Sequence, residues 1–188
     1  DFEVIGETLD DAVGEAYDKV ARVIGLPYPG GPHVDRLAHE GEDTYALPRV
    51  YLEEGSYNFS FSGLKSAVIN LVHNKEQRGE SVDPKNLCAS FQAAVTEVLV
   101  SKTLRLAKEK NVKQIIVAGG VSANKGLKER FTKDNTDFEI CIPSIKYCTD
   151  NAAMIAVAGY YQYQKFKKCD DLSLNAYASL DLEELYEI

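Results

Sequence analysis

The chain has 188 residues, enough for one domain with a hydrophobic core, and 45% of them are hydrophobic while 27% are charged. Its net charge of −8 and sequence pI of about 5.0 disfavour general nucleic-acid binding, because phosphate contacts require lysine and arginine. No apolar run approaches the roughly 18 residues that span a bilayer, and no basic, apolar leader opens the sequence. We therefore expect a cytoplasmic protein without a membrane segment. Because the sequence opens on Asp1 rather than on methionine, we also expect a fragment of a longer polypeptide.

Apolar residues at helical spacing predict four helices in the first 110 residues, at 11–24, 33–39, 64–74 and 87–110. A dense run of proline and glycine at 27–32 predicts a rigid turn, and residues 41–63 predict short strands.

Two short apolar runs, at 112–117 and 138–143, are typical of buried strands. Ser122 is expected to begin a helix between them, and Asp150 to cap another that runs to about Phe166. Helices that alternate with few strands indicate a helix-rich α/β fold with a short, incomplete sheet. The predicted division is a lobe at 1–166, with an inserted segment at about 27–86, and a polar acidic tail at 167–188.

The first candidate site follows the strand at 112–117, where Gly119 and Gly120 precede Ser122 and Asn124. Glycines let a ligand approach the backbone, and a helix N-terminus offers N–H groups to an anion. The Asn124 amide could hold a sugar hydroxyl or a phosphate. A tight turn with a capping serine explains the same residues, and neither a G-x-G-x-x-G nor a Walker A pattern is present.

Three acidic side chains, Asp11, Glu15 and Asp18, share one face of the first predicted helix, where they could bind Mg²⁺ or ribose hydroxyls or form a solvated face. The turn that contains Gly31 is followed by Asp35, which could accept from a hydroxyl. His39 lies four residues beyond Asp35 and could share its helix face.

Aromatic and hydroxyl residues alternate at 58–65 beside a glycine and a lysine. This pattern could bind RNA by stacking and a phosphate contact, or could form a half-buried strand. The four cysteines fit no zinc spacing and are expected to be reduced thiols. A metalloprotease would need a His-Glu-x-x-His pattern, which the sequence lacks.

Five segments, taken in order, resemble the bacterial TsaD family, once labelled O-sialoglycoprotein endopeptidases. They are GETLDDAVGEAYDK at 6–19, YPGGP at 28–32, FSFSGLK at 59–65, AGGVSAN at 118–124 and CTDNAAMIA at 148–156. The resemblance implies the C-terminal lobe of a two-lobed actin/Hsp70/sugar-kinase-like fold. It also implies an acyltransferase that moves threonylcarbamoyl from threonylcarbamoyl-adenylate to the adenosine 3′ of the anticodon in tRNAs reading ANN codons.

The resemblance assigns adenylate contacts to Asp18, Gly31, Asp35 and Asn124, beside the glycines Gly119 and Gly120. It assigns to Asp150 one ligand of a single iron or zinc ion, whose two histidine ligands are expected outside this chain. A TsaB-like paralogue and a TsaE-like ATPase are the implied partners. No general base can be named, and the chain alone is expected to be inactive and to bind adenylate weakly.

A different hypothesis keeps the fold class but not the reaction. The chain would then be a non-catalytic module that binds ATP or a protein partner and never meets tRNA. A His-x-x-x-His segment in the upstream coding sequence would favour the transferase.

Overall fold

The structure is a computed structural model that describes residues 3–176. In this part of the chain, six α-helices and two strands alternate with short 3-10 turns. Their bounds are α1 (Val13–Val23), α2 (Gly30–Ala38), α3 (Ser62–Gln77), α4 (Pro84–Glu109), β1 (Gln114–Ile116), α5 (Lys125–Asp134), β2 (Glu139–Cys141) and α6 (Ala152–Phe166). The 3-10 turns are Gly120–Ala123 and Ile145–Tyr147.

Helix α4 is the central element of the core. It starts where Asp83 accepts a hydrogen bond from the backbone N–H of Lys85 at 2.9 Å, with Pro84 at the first helical position. Helices α2 and α5 pack directly on α4, and α1 packs on α2 and α3. The aromatic rings of Tyr17 on α1 and Phe91 on α4 meet edge to face, with centroids 5.0 Å apart. Helices α1 to α4 therefore share one buried core.

A smaller apolar cluster joins α4 to the sheet. Val100, Leu127 and Phe131 are buried there, and Ile140 of β2 packs against them. Strands β1 and β2 are parallel, and the chain passes from one to the other through the 3-10 turn and α5. The unit places the loop after β1 beside the N-terminus of α5.

The predicted helices and both predicted strands are present, with corrected boundaries. Helix α2 begins at Gly30, inside the predicted proline-glycine turn, because Gly30 packs against α1. The strands predicted for residues 41–63 are wrong: in the described part of that segment only one bridge forms, between Thr8 and Phe59. Of the predicted tail, residues 167–176 hold no helix or strand, and 177–188 lie outside the described residues.

Two predicted helix starts are also wrong. Ser122 begins no α-helix, since residues Gly120–Ala123 form a 3-10 turn and α5 starts at Lys125. Asp150 does not cap α6; the Asn151 side chain does, accepting from the backbone N–H of Met154 at 3.0 Å.

Helix α6 differs from the others in that none of its residues is buried. Its large apolar side chains are 45% to 67% exposed. They are Met154, Ile155, Val157, Tyr160, Tyr161, Tyr163 and Phe166. Within residues 3–176, no helix is both long enough and apolar enough to cross a bilayer.

Candidate nucleotide site

The contact between α1 and α2 fixes the first two candidate residues. Asp18 on α1 accepts a hydrogen bond from the backbone N–H of Gly30 at 2.6 Å, through its Oδ1 atom. A Cβ atom at Gly30 would lie 2.3 Å from that of Ala21, so only glycine allows this approach. A Cβ at Gly31 would meet nothing within 4 Å. The first turn of α2 therefore borders open space at Gly31.

The two glycines after β1 form a second open surface. Gly119 has a φ of 86° and a ψ of 173°, a conformation that residues with a Cβ rarely adopt. Its carbonyl accepts from the buried Ser122 twice, from the backbone N–H at 3.0 Å and from the hydroxyl at 2.7 Å. These bonds close the 3-10 turn. A Cβ at Gly119 or Gly120 would meet nothing within 4 Å, so both glycines face open space.

The N-terminus of α5 holds the next two candidates, Asn124 and Asp35. Asn124 is the N-cap, and its Oδ1 accepts from the backbone N–H of Leu127 at 2.7 Å. Asp35 on α2 accepts from the backbone N–H groups of Lys125 at 2.9 Å and Gly126 at 3.2 Å. The prediction that this helix end offers its N–H groups to a ligand anion is therefore wrong, because protein oxygens already accept from all three.

Two residues that the sequence did not suggest complete this region. Gln92 on α4 and Tyr17 on α1 are buried, and the Oε1 atom of Gln92 accepts from Asn124 Nδ2 at 2.9 Å and from Tyr17 Oη at 3.4 Å. Burial raises the pKa of the Tyr17 hydroxyl, and the negative charge of Asp35 raises it further. Tyr17 is thus a neutral hydrogen-bonding group. A glutamine beside Phe91 on an otherwise apolar helix face is the signal that could have revealed Gln92.

His39 links α2 to α5, and it shares a helix face with Asp35 as predicted. Its Nδ1 lies 2.7 Å from the backbone oxygen of Asp35, and its Nε2 lies 3.1 Å from a carboxylate oxygen of Glu129. The hydrogen bond to the Asp35 carbonyl raises the pKa of His39 most, burial opposes the rise, and Glu129 supports it. The charged imidazole is the form that this arrangement favours.

The three carboxylates predicted to share one face of α1 have different partners. Asp11 lies before the helix and forms ion pairs with Lys19 at 2.7 Å and Lys65 at 2.8 Å, which hold its pKa below the usual range. Glu15 also pairs with Lys19 at 2.7 Å. Asp18 is engaged elsewhere, so the three carboxylates do not meet.

The segment at 58–65 packs internally. Phe61 is buried and stacks on Phe59, with centroids 6.2 Å apart. Lys102 lies over the other ring, 5.4 Å from the centroid of Phe59, and Lys65 is the partner of Asp11. The rings and the lysine are therefore used within the fold, which disfavours RNA stacking, but the half-buried strand is also wrong, because the segment forms one bridge at Phe59 and then enters α3.

Comparison with known proteins agrees with the motif order. Residues 1–157 match the family described as "TsaD: tRNA N6-adenosine threonylcarbamoyltransferase". This chain belongs to the TsaD family. A curated TsaD relative of that name from Geobacillus kaustophilus is 62% identical over 184 residues, which cover 96% of this chain and 54% of the relative. The relative from Staphylococcus carnosus is 59% identical over 185 residues, covering 97% and 54%. The chain spans about half the length of the curated relatives it matches.

Solved structures with the same fold have little sequence in common with this chain. One is T. kodakarensis HypF, with a TM-score of 0.56 at 15% identity, covering 82% of this chain and 20% of that one. Another is full-length HypF in a phosphate- and nucleotide-bound form, with a TM-score of 0.53 at 19% identity, covering 74% and 18%. They establish a shared helix-rich α/β fold and nothing more specific.

Asp150, the residue that the resemblance pairs with a metal, is exposed and lies two residues before α6. Among residues 3–176, no three histidine, cysteine, aspartate or glutamate side chains come close enough together to hold a metal ion. Iron and zinc require several protein ligands. The described part of this TsaD chain therefore brings fewer than three such ligands together at any one place. No disulfide joins the four cysteines, all of which lie among the described residues.

Proposed function

We propose that this chain supplies the adenylate-binding part of a tRNA N6-adenosine threonylcarbamoyltransferase. The proposal rests chiefly on one observation in this chain of the TsaD family. Three glycines that face open space lie beside the carboxylates and the amide that connect α1, α2 and α5. These residues are Asp18, Gly31, Asp35, Gly119, Gly120 and Asn124.

The chemistry of the substrate fits this surface. Threonylcarbamoyl-adenylate is a mixed anhydride from which AMP departs when the exocyclic amine of the tRNA adenosine attacks the carbamoyl carbon. Open backbone at Gly31, Gly119 and Gly120 lets a flat base or a ribose approach closely. A carboxylate has about four acceptor sites, so Asp18 and Asp35 keep capacity for ribose hydroxyls beyond the bonds they make. These residues bind and orient the adenosine part.

The occupied N-terminus of α5 restricts the binding mode. Because Asp35 and Asn124 already accept from its first N–H groups, the adenylate phosphate is not held there. We infer that the nucleoside lies along the open glycines and that the phosphate is directed away from Asp35, toward groups outside the described residues.

We further propose that Asp150 is one ligand of an iron or zinc ion and that two histidines outside this chain complete its ligands. The exposure of Asp150 and the single ligand it offers are consistent with a site shared with another part of the polypeptide. The same division explains why a chain of about half the relatives' length should be inactive alone.

The remaining parts of the proposal follow from family membership. They are a two-lobed actin/Hsp70/sugar-kinase-like fold for the whole enzyme, tRNA reading ANN codons as the acceptor, a TsaB-like paralogue and a TsaE-like ATPase as partners, and action in the cytoplasm. The short parallel sheet and its helices support the first of these.

A transfer assay tests the proposal. The full-length polypeptide that carries this chain is incubated with threonylcarbamoyl-adenylate and an ANN-reading tRNA, and threonylcarbamoyladenosine is measured in the digested tRNA. We expect product from the full-length protein, a severe loss in Asn124→Ala, and none from the 188-residue chain. A full-length protein that binds AMP but forms no product would instead indicate a non-catalytic nucleotide-binding module.

A further inference from the structure

We propose that Gln92 is a positioning residue, which holds the Asn124 amide in the orientation that contacts the nucleotide. The inference rests on the proposed adenylate site and adds to it a residue on a different helix. Gln92 lies on α4, away from the glycine-lined surface, and acts only through Asn124.

The hydrogen bonds define which way each amide points. A backbone N–H can only donate, so the Leu127 N–H, 2.7 Å away, requires the oxygen of the Asn124 side chain on its side. The Asn124 nitrogen must then face α4, where it donates to Gln92 Oε1 at 2.9 Å. Gln92 therefore presents its oxygen to Asn124, and both ends of the Asn124 amide are fixed.

One hydrogen of the Asn124 amide is left for a ligand. The nitrogen carries two hydrogens, and the bond to Gln92 uses one. Within residues 3–176, the other has only a long contact of 3.5 Å, to Tyr17 Oη. A ribose oxygen at normal hydrogen-bond distance would be a better acceptor. Rotation of the amide is prevented as long as Gln92 holds the first hydrogen.

Gln92 also sets the distance between α4 and α5. A Cβ atom at Gly126 would lie 2.2 Å from Gln92 Nε2, so the glutamine amide packs directly on the glycine backbone. The Gly126 N–H donates to Asp35 at 3.2 Å. The side chain of Gln92 is 6% exposed, so water does not replace its contacts. The buried Gln92 amide therefore contacts both the Asn124 side chain and the backbone of Gly126, the residue that is bonded to Asp35.

Variants of the 188-residue chain test this role. Gln92→Met keeps the length of the side chain but removes the acceptor, whereas Gln92→Glu retains an acceptor oxygen. Thr96→Val is the matched control, because Thr96 is buried one turn along α4. Among the described residues, its hydroxyl bonds only helix carbonyls, those of Gln92 at 2.8 Å and Ala93 at 3.4 Å. The probes are the side-chain amide signals of Asn124 in ¹H–¹⁵N NMR spectra and the affinity for AMP.

In Gln92→Met we expect the Asn124 amide signals to move and to exchange faster with water, and the Kd for AMP to rise about three- to tenfold, as for one lost hydrogen bond. Gln92→Glu should keep the protected Asn124 signals, and Thr96→Val should leave signals and Kd within about twofold of wild type. Unchanged Asn124 signals in folded Gln92→Met, or equal changes in Thr96→Val, would overturn the inference.

Different results would contradict the adenylate site and the positioning role of Gln92. A wild-type chain that does not bind AMP contradicts the adenylate site, while the Asn124 signals without AMP still decide the role of Gln92. If Gln92→Met does not fold, the wild-type chain is tested instead. A nuclear Overhauser effect between the Asn124 amide protons and the Gln92 side chain is then required, and its absence would reject the positioning role.

Discussion

Asp35 accepts a hydrogen bond from the backbone N–H of Lys125 at 2.9 Å, across a separation of 90 residues. The carboxylate that the family resemblance assigns to the substrate is therefore also the one that stabilises the N-terminus of α5. An anion at this position satisfies unpaired N–H groups and opposes the positive end of the helix dipole. The candidate site and the packing of α2 on α5 depend on the same atoms.

Replacing Asp35 should therefore reduce stability as well as binding. We expect Asp35→Ala to lower the free energy of unfolding by about 2 kcal/mol, because two charge-assisted hydrogen bonds are lost. Asp35→Asn keeps one acceptor oxygen and should lose about 1 kcal/mol. Urea denaturation measures both. Equal stability of wild type and Asp35→Ala would show that the hydrogen bonds from α5 to Asp35 contribute nothing.

The adjacent glycines Gly30 and Gly31 should respond in opposite ways to the same substitution. Gly30→Ala places a methyl group 2.3 Å from the Cβ of Ala21 and should destabilise the chain by about 1–3 kcal/mol. Gly31→Ala meets nothing within 4 Å and should leave stability unchanged or slightly raised, since alanine favours helix. Only Gly31→Ala should weaken AMP binding without loss of stability. Thermal unfolding and calorimetric titration separate the two effects.

Any side chain at Gly119 should lower the stability of the chain, although the space around this residue is open. At a φ of 86° and a ψ of 173°, alanine is strained, and we expect Gly119→Ala to lower the unfolding free energy by about 1–3 kcal/mol. Gly120→Ala is the control, because its φ lies outside the left-handed region and a Cβ there is equally unobstructed. Similar stabilities for the two variants would contradict a backbone origin of the effect.

His39 should make stability depend on pH. Its folded-state pKa is raised above the usual 6.5 by the hydrogen bond to the Asp35 carbonyl and by Glu129. A raised pKa means that the contribution of His39 is fully present below pH 6.5 and is lost as the pH rises through the folded-state value. The difference in unfolding free energy between wild type and His39→Gln should then be larger at pH 5.5 than at pH 9. A difference that grows with pH would reverse the assignment.

The exposed α6 should cause the isolated chain to self-associate. An apolar surface that includes Ile155 at 66% and Tyr161 at 67% exposure is unusual for a monomer. Light scattering of the concentrated chain should give a mass above that of one copy, and the double variant with Ile155→Gln and Tyr161→Gln should return it to a monomer. A wild-type chain that remains monomeric at high concentration would argue against this.

The sequence was sufficient for the elements whose apolar residues repeat at helical spacing, as in α4, where Leu87, Phe91 and Val95 line one buried face. It failed where boundaries depend on distant partners. Helix α2 starts at Gly30 because Ala21 and Asp18 lie opposite it, and the first N–H groups of α5 are bonded to Asp35, which lies 90 residues earlier in the sequence. Local patterns carry no information on such contacts.

The same limit applied to the site. The spacing of Gly119, Gly120 and Asn124 suggested a ligand surface, which stays a prediction, and it did not reveal that Asp35 occupies the helix end beside them. Gln92 escaped notice because its partners, Tyr17 and Asn124, are 75 and 32 residues away. Only the packing of α1 and α5 on α4 brings these groups together.

The central claim, that this chain contains the adenylate-binding surface, is tested most directly by titrating the ¹⁵N-labelled chain with AMP and following its backbone amides by NMR. We predict that the largest shift changes fall on Gly31, Gly119, Gly120 and the Asn124 side chain, and that they saturate at high AMP concentration. No saturable change, or changes confined to another surface such as α6, would contradict the claim.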